Sequence, residues 1–246
     1  GRLATIYKGY DHVILLDYSR SQLEYARQQL GDERFTYVAA DIYNLPLATN
    51  AVDTAVMVRV LHHLADVPLV LQQVKRVTRD EGIFVLEFAN KRHLKNIVRY
   101  LLGRGVNPCA AYSRPFDRHP YEFADLHYDF HPAWVAHRLQ EAGFEIERRL
   151  SVSNLRSALL KRVFPISLLL KMEGVLQRGV APLALGPSIF LRASVNKVGG
   201  NELVGQESLF RCPTCGHEPL VPEEDHLRCV SCQSIWPIEK GIYIFK

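Results

Sequence analysis

Apolar and polar positions along the chain change period in a regular order. Residues 13–17, VILLD, form an apolar run that stops on Asp17. It is too short for a helix and rich in branched side chains, which predicts a strand buried on both faces. The pattern then turns helical: Leu23, Ala26 and Leu30 share one face, with Ser19 as the cap and Gly31 as the stop. FTYVAAD, 35–41, predicts a second strand that also ends on an Asp, and VDTAVMVRV, 52–60, a third. A helix over Val67 to Val77, the turn RDEG and the strand IFVLEFA, 83–89, follow. Strands and helices with short connections between them predict a parallel sheet covered by helices.

Beyond residue 90 the periods are less regular. NKRHLKNIVRYLLGR reads as a basic amphipathic helix, and 105–131 as a long loop rich in Pro, aromatics and His. Pro132 is suited to the first turn of a helix, PAWVAHRLQEAG, which Gly143 ends. FEIERRLSV, 144–152, alternates like a half-exposed strand; the apolar, basic stretch 154–185 reads as helix broken at Pro165; SIFLRASVN, 188–196, is a last strand. The expected organisation is a domain over 1–198, a Gly and polar linker over 199–207 and a cysteine-bearing tail over 208–246.

Composition changes this picture little. With 246 residues, 48% hydrophobic and 23% charged, the chain has the balance of a globular protein, and no run approaches the roughly 18 to 20 apolar residues of a membrane span. The sequence opens without an initiator Met and with residues that read as domain interior, so it is expected to be a fragment lacking its true N-terminus. Paired cysteines near the C-terminus, with Cys109 alone, fit a reducing cytoplasm. The formal charge of +4 is unevenly spread. Lys91, Arg92, Lys95, Arg99, Arg104, Arg114 and Arg118 face only Asp117 and Glu122, and the basic residues from Arg148 to Lys197 face only Glu173. Such surfaces suit phosphates or an anionic membrane, and equally are what solvated helix faces of a basic protein look like.

The two aspartates carry the first candidate chemistry. In open parallel sheets ligands bind outside the carboxyl ends of the strands, where an acid ending a strand accepts hydrogen bonds from ribose hydroxyls. Asp17 is placed for that role, and Asp41 one strand later for an adenine amino group, with Ile42 packing on the ring. The segments LLDYSRSQLEYARQ, VAADIYNLPL, AVDTAVMVRVLHHLADVPLVLQQVKRVTRDEGIFVLE and AGFEIERR occur in the order and spacing of class I S-adenosylmethionine-dependent methyltransferases, which the chain resembles over about 1–198. The resemblance implies a Rossmann-like α/β fold with a seven-stranded sheet whose last two strands are an antiparallel hairpin. By position it implies S-adenosylmethionine bound by Asp17 at the ribose, Tyr18 beside the adenine, Asp41 and Ile42 at its edge and Val58 along the cofactor. His62 and His63 fall near the methionine end. GRLA resembles the tail of the family's glycine-rich loop, so Gly1 would be its last glycine and the first strand would be missing.

Methyl transfer needs chiefly an in-line nucleophile, plus a base where a proton must leave. FADLHYDFHP lies where the family builds its substrate lid, and His63, Tyr128 and His131 are candidate substrate contacts. His127, Asp129 and His131 have donor types for a metal, but also read as lid packing ahead of a helix. The stretch NLRSALLKRVFPISLLLKMEGVLQRGVAPLALGP would cover a greasy substrate, rest on a membrane or pack on the sheet edge.

The tail offers a second chemistry. Cys212, Cys215, Cys229 and Cys232 form two Cys-x-x-Cys turns, and four thiolates close a tetrahedral zinc shell with no vacant position, so the ion would fold the tail rather than react. The ending CVSCQSIWPIEKGIYIF resembles small zinc-ribbon activators that bind methyltransferases, with Tyr243 where a Pro is usual. Together the resemblances imply a cytoplasmic methyltransferase for a small or lipophilic acceptor, with a ribbon acting in cis. The alternatives are a methyltransferase acting on RNA or a translation protein, and a non-catalytic scaffold with a degraded cofactor site.

Overall fold

The computed structural model describes residues 3–103, 114–156, 158–197 and 202–246. The chain forms two compact units, one of Gly1–Val52 with Glu202–Lys246, the other of Asp53–Asn201. The first begins with β1 (Val13–Asp17), α1 (Arg20–Leu30) and β2 (Phe35–Ala40), followed by a 3-10 turn over Ile42–Asn44. β1 and β2 are parallel, with Asp17 opposite Ala39. α1 buries Leu23 and Ala26. It ends where Gly31, at φ 73°, returns its N–H to the Arg27 carbonyl, a left-handed geometry that suits glycine. Ser19 occupies the N-cap, but its hydroxyl meets Ser21 instead of capping, and Asp17 Oδ1 accepts the Ser19 N–H.

The second unit contains β3 (Val52–Met57), α2 (Val67–Val77), β4 (Thr78–Ala89), α3 (Leu94–Leu101), β5 (Tyr121–Ala124), β6 (His127–Asp129), α4 (Pro132–Glu141), β7 (Phe144–Val152), α5 (Ala158–Val163), α6 (Ile166–Gly179) and β8 (Ser188–Val195). Asp66 caps α2 by accepting the Leu69 N–H at 3.0 Å, and Val67, Val70, Leu71, Val74 and Val77 are buried. The expected RDEG turn is instead the start of β4, which passes through Glu81 at φ 58°. A Cβ on Gly82 would lie 2.8 Å from the Arg79 carbonyl and 2.9 Å from that of Asp53, so only glycine lets the backbone pass there. β3 stops at Met57, short of the expected 60, because the chain turns through Arg59 at φ 59° into a 3-10 turn over Leu61–His63. The expected loop 105–131 holds the antiparallel pair β5 and β6. Pro165 separates α5 from α6 as the pattern predicts.

The C-terminal segment returns to the first unit through β9 (Val221–Pro222), β10 (His226–Arg228), β11 (Ile235–Glu239) and β12 (Ile242–Phe245). The implied sheet, expected to lack its first strand, is not one continuous sheet among the described residues. The strands lie in a six-stranded sheet, β1-β2-β12-β11-β10-β9, and a four-stranded one, β3-β4-β8-β7, with β5 and β6 apart. The reason is pairing: among the described residues β1 pairs only with β2, and β12 of the tail runs parallel to the other edge of β2. The antiparallel hairpin of the last two strands does form, as β7 and β8. Ile242 and Ile244 of β12 join Leu23, Ala26, Phe35, Tyr37 and Ala39 in one buried cluster. The tail therefore completes this unit's core.

Candidate functional site

In the first unit, the parallel pairing of β1 and β2 brings Asp17 and Asp41 to the carboxyl ends of adjacent strands. Both are exposed. Asp17 Oδ1 accepts the Ser19 N–H at 2.7 Å and Asp41 Oδ1 accepts the Tyr43 N–H at 2.9 Å. Each carboxylate is thus oriented by the turn that follows its strand. Ile42 is half-buried in the first position of its 3-10 turn. Tyr18 is 65% exposed, with Lys246 Nζ 4.5 Å from its ring centroid and donating to its carbonyl at 2.6 Å, so one aromatic face carries a cation. Gly1 lies outside the described residues.

In the second unit, Val58 is half-buried just past β3, followed by Arg59, Val60 and the His62–His63 turn. Glu87, a buried acid inside β4, fixes this corner: Oε2 accepts the Arg59 N–H at 2.8 Å and Oε1 accepts the Ser188 hydroxyl. A non-glycine residue at positive φ persists only where its surroundings hold it, and Glu87 supplies that hold. Sequence reasoning missed Glu87, whose signal was a lone acid within an apolar strand.

The β5–β6 hairpin brings His127 to this corner. Its ring centroid lies 4.6 Å from that of His63 and 6.3 Å from that of His62, while His62 and His63 are 4.0 Å apart. His63 Nδ1 sits 3.3 Å from the Leu126 carbonyl and His127 Nδ1 2.8 Å from that of Asp125. A carbonyl only accepts, so each Nδ1 is the protonated donor in these two contacts. Burial, then the neighbouring His63, pushes the His62 pKa below the usual histidine range.

The trio His127, Asp129 and His131 is not brought together. His131 caps α4, its Nδ1 accepting the Ala133 N–H at 3.1 Å. Burial and then Arg92, Lys91 and Arg118 hold its pKa down to about 4. Asp129 is pushed up by burial, against the pull of Lys91. Lys91 is buried, donates to the His119 carbonyl at 2.6 Å and is pushed down by burial, with Asp117 opposing. Tyr128 is half-buried beside Phe130, with ring centroids 6.3 Å apart.

Among the described residues, Cys212, Cys215, Cys229 and Cys232 are the one cluster with metal-ligand geometry, their sulfurs all within 4.8 Å of one another. Cys212 and Cys232 are 3.6 Å apart and Cys215 and Cys229 3.5 Å. A disulfide would need about 2.05 Å; a tetrahedron with Zn–S of about 2.3 Å has edges of about 3.8 Å. The two turns repeat each other. Cys212 N–H donates to the His217 carbonyl and Gly216 N–H to that of Cys212, while Cys229 N–H donates to the Ser234 carbonyl and Gln233 N–H to that of Cys229. Gly216 and Gln233, the equivalent positions, both have positive φ. Four soft donors on two matched knuckles fit zinc.

Residues 1–86 match a family model described as Methyltransferase domain. No curated protein matches the sequence. One similar solved structure is the complex between the Haloferax volcanii Trm112 methyltransferase activator and a methyltransferase, at 14% identity and TM-score 0.53, covering 80% of this chain and 77% of that one. Another is an S-adenosylmethionine-dependent methyltransferase from Listeria monocytogenes, at 14% identity and TM-score 0.50, covering 76% of this chain and 81% of that one. The fold is the Rossmann-like α/β fold of methyltransferases, with a cysteine cluster compatible with a small zinc site. Residues 1–86 are thus similar in sequence to a methyltransferase domain, and the likeness to the solved structures is one of fold.

Proposed function

We propose that the chain binds S-adenosylmethionine at the ends of β1 and β2 and passes its methyl group to a small or lipophilic acceptor, with zinc on the four cysteines as a structural element. The observation that carries this reading is the pair of oriented carboxylates, Asp17 and Asp41, on adjacent parallel strands within the stretch that matches a methyltransferase domain. With Oδ1 of each engaged by a backbone N–H, Asp17 Oδ2 would accept from the ribose hydroxyls and Asp41 Oδ2 from the adenine amino group. Tyr18 and Ile42 would pack beside the base.

The cofactor supplies an electrophilic methyl group. The acceptor's lone pair forms the new bond as the sulfur–carbon bond breaks and its electrons return to sulfur. Where the acceptor carries a proton, a base must take it. His131 is suited to positioning the lid, since its Nδ1 serves the helix. Zinc would have a closed shell and no part in the transfer. The Haloferax complex, in which an activator accompanies a methyltransferase, supports reading the tail as an activator-like ribbon in cis.

Calorimetric titration of the full chain with S-adenosylmethionine tests the assignment. Asp17→Ala is expected to weaken binding at least tenfold, since a hydrogen bond to a charged group contributes about 1.5–3 kcal/mol. Equal affinity in parent and variant removes Asp17 from the site.

A further inference from the structure

The helical segment after β7 exposes apolar side chains in a pattern no core explains. All of the residues 161–168 are exposed, including Val163, Phe164, Ile166 and Leu168. Along α6 the exposed Leu168, Met172 and Val175 recur at i, i+4 and i+7, so they line one face. Val175 is 74% exposed and Ile166 67%. The inward side is narrow, with Leu169 buried and Glu173 and Leu176 half-buried.

Charge identifies what covers this surface. Arg156, Lys161, Arg162, Lys171 and Arg178 accompany the apolar residues, and the sole acid between them, Glu173, is engaged inward: Oε1 accepts the Asn154 N–H and Nδ2–H, and Oε2 the Leu155 N–H. α3 repeats the device. Leu94, Val98 and Leu101 are exposed at i, i+4 and i+7 beside Lys95 and Arg99. Its first residue donates to the Leu185 carbonyl in the segment that follows α6.

We infer that the α5–α6 corner and α6, with α3 beside the segment after them, dock on an anionic lipid surface. Apolar side chains enter the acyl boundary while lysines and arginines meet the headgroups. The docking goes beyond the proposed chemistry and needs no cofactor, so the two stand or fall separately.

Co-sedimentation of the full chain with phosphatidylcholine vesicles holding about 30% phosphatidylglycerol tests it, beside vesicles of phosphatidylcholine alone. Binding is expected to the anionic vesicles, to weaken with salt, and to be much weaker on the neutral ones. Lys161→Gln with Arg162→Gln should lower the partition coefficient about 30-fold, at about 1 kcal/mol per charge. Phe164→Ser with Ile166→Ser should lower it at least tenfold by removing apolar burial. These positions are exposed, so the variants should keep the parent's thermal midpoint. Asp17→Ala should bind vesicles like the parent, which separates failure here from failure of the cofactor assignment. Equal binding to both vesicle types, binding indifferent to either double variant, or a dimer that Phe164→Ser with Ile166→Ser splits without any vesicle binding would each overturn the inference.

Discussion

At His131 one ring nitrogen has two incompatible uses. Nδ1 accepts the Ala133 N–H at the start of α4, and protonation would turn it into a second donor facing that N–H. Burial and the cations Arg92, Lys91 and Arg118 push the same way, and the folded pKa stands at about 4 against about 6.5 for a free imidazole. The pKa is depressed on folding, so the unfolded chain binds the proton more readily. His131 therefore contributes its stability fully above about pH 6.5 and loses it as pH falls toward 4. Asparagine caps without titrating. His131→Asn is expected to flatten the fall in thermal midpoint across that window, and parallel curves for parent and variant would refute the capping account. Side chains of this kind were only partly legible beforehand. Pro132 marked the helix start, and the two strand-ending aspartates marked themselves by breaking apolar runs. The approach of His127 to His62 and His63 was not legible, because it depends on the β5–β6 hairpin.

Among the elements, the regular strands and helices of the first ninety residues follow their apolar periods closely. The departures have local causes: β3 ends early at Arg59 because Glu87 holds a left-handed residue there, and β4 starts early because Gly82 lets the chain run straight past Thr78 and Asp53. β12 is another kind of case. Alternation in GIYIF announces a strand, but nothing local says that its partner is β2, some two hundred positions earlier in the chain. In the structure Ile242 lies opposite Tyr37 and is fully buried. Ile242→Ala removes most of a buried side chain from the cluster with Leu23 and Ala26, an expected loss of about 2–5 kcal/mol. Tyr243→Ala, half-buried and touching Phe210, should cost less. Urea unfolding followed by the signal of the first unit ranks the two; an Ile242→Ala variant as stable as the parent would mean that β12 is an ornament on the sheet.

For the whole molecule, the placement of β12 makes the cysteine cluster more than a local clasp. A tail of this length holds little core of its own, and metal binding in such modules is folding free energy, roughly 10–16 kcal/mol in small zinc peptides against about 5–15 kcal/mol for a whole domain. If Cys212, Cys215, Cys229 and Cys232 hold the proposed zinc, its removal takes away what orders the knuckles, and β11 and β12 lose their anchor. Ile242 and Ile244 then leave the core they share with Phe35 and Tyr37. The second unit has its own sheet, in which Phe84, Phe88, Ile189 and Leu191 are buried. Hydrogen exchange with and without a strong zinc chelator should therefore show lost protection at 35–40 and 242–245, and retained protection at 83–89 and 188–195. Protection unchanged at 35–40 after the metal is stripped would make the ribbon a passenger. Loss concentrated there would make it the device that keeps the end of β2, and Asp41 beyond it, in place for the nucleoside proposed to bind there.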